Sequence, residues 1–286
     1  MVFVIRGIYT GASGMIARMH DMDALSNNLA NVDVTGYKRD TSVHKAFPEL
    51  LLRRMNDDGV FHIPNGSVDV APVIGKIGTG VEYNESFTAF TQGSLKQTDN
   101  PFDLALNGKG FFTVQNAQGD ERYTRNGSFH ISPEGILTTK EGLPVMGENG
   151  IIQLKKNNFV VDKEGRVWQN SSLADDPERL VSLEENEWDS VELVDRLKIV
   201  DFPRDRYLRK QGSSLWMSDR FSGDPVSITV REGVEVQQGF LETSNVNPVT
   251  EMVRMIEINR AYEANQKVIQ THDQLSSKLI NETVRL

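Results

Sequence analysis

At both ends of this 286-residue chain, apolar residues recur at alternating steps of three and four. Near the start, Ile5, Ile8, Ala12, Met15, Met19, Met22, Leu25 and Leu29 fall on one line of a helix. Near the end, Ile258, Ala261, Asn265, Val268, His272, Leu275 and Leu279 do the same. This spacing predicts two amphipathic helices whose apolar stripes are too narrow to close a globular core alone. Such helices are marginal in isolation. Each stripe therefore needs a partner helix, from the other terminus or from a neighbouring copy.

Local signals agree. Asn247-Pro248 places an N-cap residue before a proline suited to the first helical position. Glu251–Arg254, Glu257–Arg260 and Glu263–Lys267 are opposite charges at helical spacing. Gly7, Gly11 and Gly14 weaken the first helix by about 1 kcal/mol each relative to alanine. Asn265 and His272 interrupt the second stripe. They are either two imperfect heptads or polar residues that fix register against a partner helix.

From about Val73 to Gly239 the pattern changes. Short alternating runs (Asp103–Leu106, Gly110–Val114, Ser128–Ile131, Ile136–Thr139, Val167–Gln169, Arg196–Val200, Val226–Val230) are separated by turn phrases such as QNAQGDE, SPEG and DKEG. The expected fold is a mainly β central domain of antiparallel strands and hairpins. The terminal α-helices flank it and pair as a coiled-coil-like shaft. The expected divisions are 1–40 (axial helix and motif), 41–72 (connecting segment), 73–240 (β-rich outer domain with an acidic insertion at 171–195) and 241–286 (axial helix).

Charge follows the same division. Residues 1–40 carry four basic and four acidic side chains, and 249–286 carry five of each. All of the formal charge of −9 therefore lies between 41 and 248. Residues 171–195 hold nine acids and one arginine. They read as a solvated loop or a short helix, or as a docking surface for a basic partner. The acidic balance argues against nucleic acid as a partner. No run of 18 apolar residues is present, so membrane insertion is not expected. The start, MVFVIRGIYTG, lacks a charged leader region, so no cleaved signal peptide is expected.

Catalytic chemistry finds little purchase. There is no cysteine, and the five histidines are scattered without metal-ligand spacing. Gly108-Lys109-Gly110 lacks the rest of a phosphate loop. No catalytic, cofactor or metal residues are expected, and the chain reads as a non-enzyme. Two narrow-striped helices on a β-rich body instead suggest subunits that repeat by a heterologous contact into a ring or filament.

One phrase is unusually polar for a helix end: SNNLANVDVTGYK at 26–38. Asn27, Asn28 and Asn31 suit a helix end through left-handed backbone or amide bonding, and Gly36 permits a turn. SNVNPV at 244–249 repeats the polar theme before the second helix. The two phrases are read as paired collars bracketing the β domain, with asparagine amides bonding backbone between helices or subunits.

SNNLANVDVTGYK resembles a signature of the flagellar rod and hook family of bacterial axial proteins. The run-up GASGM at 11–15 resembles that family's helix start. FTQGSLKQTDNPFDLALNGKGFF at 90–112, YTRNGSFHISPEGILTT at 123–139 and QGFLETSNVNPVTEMVRMIEINRAYEANQKVI at 238–269 are also similar, in the family's order. The resemblance implies concentric helical tubes with a β-rich domain outside, and export through the flagellar apparatus. It implies a rod spanning the periplasm. The implied partners are further copies of the chain, other rod proteins, the hook protein, the bushing ring proteins and the export apparatus. The matching positions are Ser26, Asn27, Asn28, Ala30, Asn31, Thr35, Gly36 and Tyr37, then Ser244, Asn245, Val246 and Asn247, and further on Arg260, Tyr262 and Glu263. IGTGV at 77–81 and FLETSNVN at 240–247 look like the distal rod type. AFPELLLRRM at 46–55 and GLPVMGENG at 142–150 look like the proximal type, which is favoured.

Overall fold

A computed structural model describes residues 2–53, 60–63, 66–69, 73–154, 159–170, 191–228 and 233–283. The side chains of 2–6, Ile5 among them, and of 60–63, 66–69 and 283 lie outside that description. Terminal helices α1 (Val2–Ala30) and α2 (Pro248–Thr283) flank a β-rich region in sequence, as the periodicity predicts. The chain forms two compact units. One comprises 1–27, 40–87 and 249–286; the other comprises 28–39 and 88–248.

In the first unit the helices pack against each other, antiparallel, with the glycines of α1 at the contact. The His272 ring sits where a Cβ on Gly7 would be. Ile269 Cγ1 would lie 3.0 Å from a Cβ on Gly11, and Asn265 Nδ2 2.8 Å from one on Gly14. The glycines that lower helix propensity thus let α2 approach closely, and both polar seam residues lie over them.

The contact face differs from the predicted seam. On α2, Ile258, Ala261, Asn265 and His272 are half-buried, but so are Met255, Ile269 and Ser276, while Val268, Leu275 and Leu279 are exposed. On α1 the buried positions are Gly11, Ala17, Asp21, Leu25 and, in its last turn, Asn28. Ile8, Met15, Met22 and Leu29 are only half-buried, and Met19 is 51% exposed. A strict seven-residue repeat drifts by about 20° per heptad from a straight 3.6-residue helix. Over three heptads the predicted line walks off the real contact face.

Residues 41–72, expected as a connection, include strands. β1 (Asp40–Ala46) pairs with β6 (Val81–Thr88), β2 (Leu50–Arg53) with β5 (Val73–Ile77), and β3 (Val60–Ile63) with β4 (Gly66–Asp69). These nested antiparallel pairs make one long hairpin. Its strands lack the clean alternation that identifies a half-buried strand, because β2 is exposed along its whole length.

The second unit carries the main core. A six-stranded antiparallel sheet runs in the order Arg209–Gly212, Leu215–Met217, Glu121–Thr124, Phe111–Gln115, Ile199–Asp201, Val226–Ser227. Side chains alternate across a strand. Phe112 and Val114 therefore enter one core, with Leu104, Phe129, Leu137 and Val167. Phe111 enters the other, with Tyr123, Phe202 and Trp216. The acidic stretch is corrected at its end: Val191–Arg196 is a strand pairing with Arg166–Asn170. Its Asp195 is buried and accepts hydrogen bonds from Asn149 N and Nδ2. Residues 171–190 lie outside the described part, as do 229 and 230 of the predicted strand Val226–Val230.

Candidate functional site

The two polar phrases meet in the second unit. Past α1, Asn31, Val32 and Val34 N–H groups donate back to the carbonyls of Asn28, Leu29 and Asn31 at 3.2–3.4 Å, unwinding the helix through turns. The left-handed position falls on Gly36 (φ 67°) and not on the asparagines. A Cβ there would stand 2.5 Å from Asn126 N, so glycine is required twice over. Of the two ways in which asparagine suits a helix end, Asn28 uses its amide, and the turn falls on Gly36.

Each position then finds a partner. Tyr37 Oη donates to Asn28 Oδ1 at 3.2 Å. Thr35 Oγ1 donates to Asn126 Oδ1 at 2.8 Å. Gly36 N–H donates to the Glu242 carbonyl at 2.8 Å, and Asn245 N–H to the Tyr37 carbonyl at 3.4 Å. The Asn245 amide is saturated: Oδ1 accepts from Arg39 N at 2.8 Å, and Nδ2 donates to the carbonyls of Ala89 (2.8 Å) and Thr91 (3.1 Å) and to Thr91 Oγ1 (2.9 Å). One side chain thereby ties three backbone segments together.

At the centre is a buried charge cluster. Lys38 Nζ lies 2.5 Å from Glu242 Oε1, with side chains 0% and 1% exposed, and it also donates to the Thr91 carbonyl at 2.8 Å. Glu242 Oε1 accepts from Gly93 N at 2.8 Å, and Oε2 from Arg125 Nη1 at 3.4 Å. Arg125 Nη2 reaches the Gly108 carbonyl at 2.7 Å. Burial pulls the Lys38 ammonium below its ordinary pKa, against the opposing pull of Glu242. Burial likewise lowers Arg125, opposed by Glu242 and Asp201. A buried ammonium persists only with a partner charge and bonds for its protons, and both are present. Lys210 Nζ sits 4.8 Å above the Tyr37 ring and donates to the Lys38 carbonyl.

Of the expected motif residues, Asn28, Thr35, Gly36, Tyr37 and Asn245 are in this clasp. Val246 is buried beside it, and Ser244 Oγ accepts from its N–H. Ser26, Asn27, Ala30 and Asn247 are exposed. Arg260 and Glu263 are exposed on α2, and Tyr262 is half-buried. The sequence reading missed Lys38, Arg125 and Glu242 as a unit. Lys38 closes the first phrase and Glu242 shortly precedes the second, yet 204 residues separate them.

A second polar cluster belongs to the first unit. Asp21 on α1 accepts from Ser42 Oγ, pairs with His44 Nε2 at 2.7 Å and with Arg18 Nη1 at 2.9 Å. His20 stacks on Tyr83 at 4.5 Å between centroids. These contacts tie α1 to the β1–β6 end of the hairpin. Among the described residues no group of three or more His, Asp or Glu could hold a metal ion, and no helix is long and apolar enough to cross a membrane.

This arrangement orders and joins chain segments. Comparisons with known proteins agree with that reading. Residues 8–38 match "Flagella basal body rod protein", 105–169 match "Flagellar hook protein FlgE/F/G D1 domain" and 237–282 match "Flagellar basal body rod FlgEFG protein C-terminal". The chain is 34% identical to the flagellar basal-body rod protein FlgG of Buchnera aphidicola subsp. Schizaphis graminum, over 96% of this chain and 99% of the relative. It is 33% identical to FlgF of Caulobacter vibrioides, covering 96% of each. It is 32% identical to the flagellar hook-basal body complex protein FlhO of Bacillus subtilis, covering 98% of each. The two halves of the clasp fall in the first and last matched segments. The chain belongs to the flagellar basal-body rod protein family, a family of non-enzymatic structural components of the flagellar basal body.

Proposed function

We propose that this chain is a self-assembling subunit of the flagellar rod, the drive shaft between motor and hook. The observation behind this is the clasp: the phrase that ends α1 and the phrase that precedes α2 are joined through Lys38, Glu242 and Asn245. The chain therefore enters and leaves the β domain at one fixed place. Proposed partners are further copies, other rod proteins, the hook protein, the surrounding ring proteins and the export apparatus.

Two places along the shaft have support. AFPELLLRRM, GLPVMGENG and the likeness to a FlgF favour the proximal segment. IGTGV, FLETSNVN and the likeness to a FlgG favour the distal one. Deleting residues 1–27 tests the shaft role. That cut removes α1 from the first unit and spares the clasp. A folded second unit with no rod and no motility is expected. A complete rod built from the deleted chain would overturn the proposal.

A further inference from the structure

Helix α1 carries two contact stripes within the first unit. Gly7, Gly11 and Gly14 receive α2. Thr10, Ser13, His20 and Asp21 share a neighbouring side of the helix, and that side receives the hairpin. Thr10 Oγ1 donates to the Thr79 carbonyl at 3.4 Å, and Ser13 Oγ accepts from Val81 N–H at 3.3 Å. Gly80 between them has φ 146°, and a Cβ there would collide with Ser13 Oγ. The phrases GASGM and IGTGV thus meet side by side. Further along, His20 stacks on Tyr83, and Asp21 holds both Ser42 and His44.

The hairpin has little else to fold on. β2 is exposed along its whole length, and Leu51, Val73 and Ile74 are 55%, 54% and 60% exposed. A two-stranded ribbon is marginal in water unless it packs on another element. Helix α1 is that element here, and α1, with its three glycines, needs α2 in turn. We propose that α1 acts as a folding relay: seating it on α2 orders the hairpin strands β1, β2, β5 and β6, and so builds the apolar ribbon of β2 and β5. An apolar ribbon with open edges is a template for unwanted pairing. A chain whose helices are unpaired does not yet display it. The relay concerns order within one chain and does not rest on the rod reading.

The absence of cysteine makes the test direct. Asn265 Cγ lies 3.3 Å from a Cβ built on Gly14, so Gly14→Cys with Asn265→Cys can lock α1 to α2. Amide exchange of the full-length chain is read by mass spectrometry, oxidised and reduced, with the second unit as internal reference. In the locked chain α1 and the four hairpin strands should both exchange slowly. Adding His20→Ala and Asp21→Ala to the locked chain should speed exchange in the strands by about tenfold or more while α1 stays slow. Fast strands in the locked chain, slow strands beside a fast α1 in the reduced chain, or strands indifferent to the two substitutions overturn the proposal. So does an α1 that loosens as much as the strands in the locked variant, which would make the hairpin the support of the helix. Rod assembly is read separately by the deletion of 1–27, so the two proposals can fail independently.

Discussion

Lys38 and Glu242, 204 residues apart in sequence, form an ion pair at 2.5 Å with both side chains out of solvent. Arg125 shares the same carboxylate, so two cations depend on one anion. Removing one partner of a buried pair costs about 3–5 kcal/mol because the other charge is stranded. Glu242→Gln strands both cations, whereas Lys38→Met leaves Glu242 with Arg125. Glu242→Gln should therefore destabilise the second unit by more than Lys38→Met does. Denaturant unfolding of both variants checks the order, and the reverse order would contradict the shared-carboxylate geometry.

Gly36 and Gly142 separate strain from collision. Both have positive φ, 67° and 81°, but a Cβ meets Asn126 N at 2.5 Å in the first and nothing within 4 Å in the second. Gly142→Ala should cost about 1–2 kcal/mol, the price of a left-handed alanine. Gly36→Ala should cost several kcal/mol more. Similar unfolding midpoints for the two variants would show that the Asn126 contact yields freely.

Gly7 and His272 should be energetically coupled. Gly7→Ala raises helix propensity by about 1 kcal/mol yet displaces the imidazole. The single variant should weaken helix pairing, and adding His272→Ala should restore it. A double-mutant cycle read by thermal melting of helicity should give a coupling of about 0.5–3 kcal/mol. A coupling of zero would place His272 away from Gly7.

Acid should loosen the first unit. Burial raises the Asp21 pKa, but hydrogen bonds from Ser42, His44 and Arg18 outweigh it and hold the carboxyl below its ordinary value of 3.8. A depressed carboxyl contributes stability that is fully present above the unfolded value and lost as pH falls through the folded one. Amide exchange in α1 and β1 should therefore accelerate below 3.8, and Asp21→Asn should flatten that acid limb. An identical acid response in Asp21→Asn would assign the effect to other groups.

Much of this fold was legible in local pattern. Asn247-Pro248 marked the start of α2, and the short runs Gly110–Val114 and Ser128–Ile131 marked the strands Phe111–Gln115 and Phe129–Ile131. The helical seam was legible only in part: Ile258, Ala261, Asn265 and His272 are half-buried on α2, while Val268, Leu275 and Leu279 are exposed. The hairpin strands beyond Asp40 were hidden because Leu50, Leu51 and Leu52 form an exposed apolar run without alternation. The phrase at 26–38 pointed to the right place, and Gly36 and Tyr37 were in it. Its energetic centre was not legible: Lys38 looks like any surface lysine until Glu242 and Arg125 arrive from distant strands.

The shaft assignment is tested most directly by imaging purified basal bodies with a small tag inserted at the exposed turn Glu141-Gly142. Extra density arrayed helically around the rod, outside its helical core, is the predicted result. Tag density confined to the rings or the export apparatus, or absent from rods of motile cells that express the tagged chain, would contradict it.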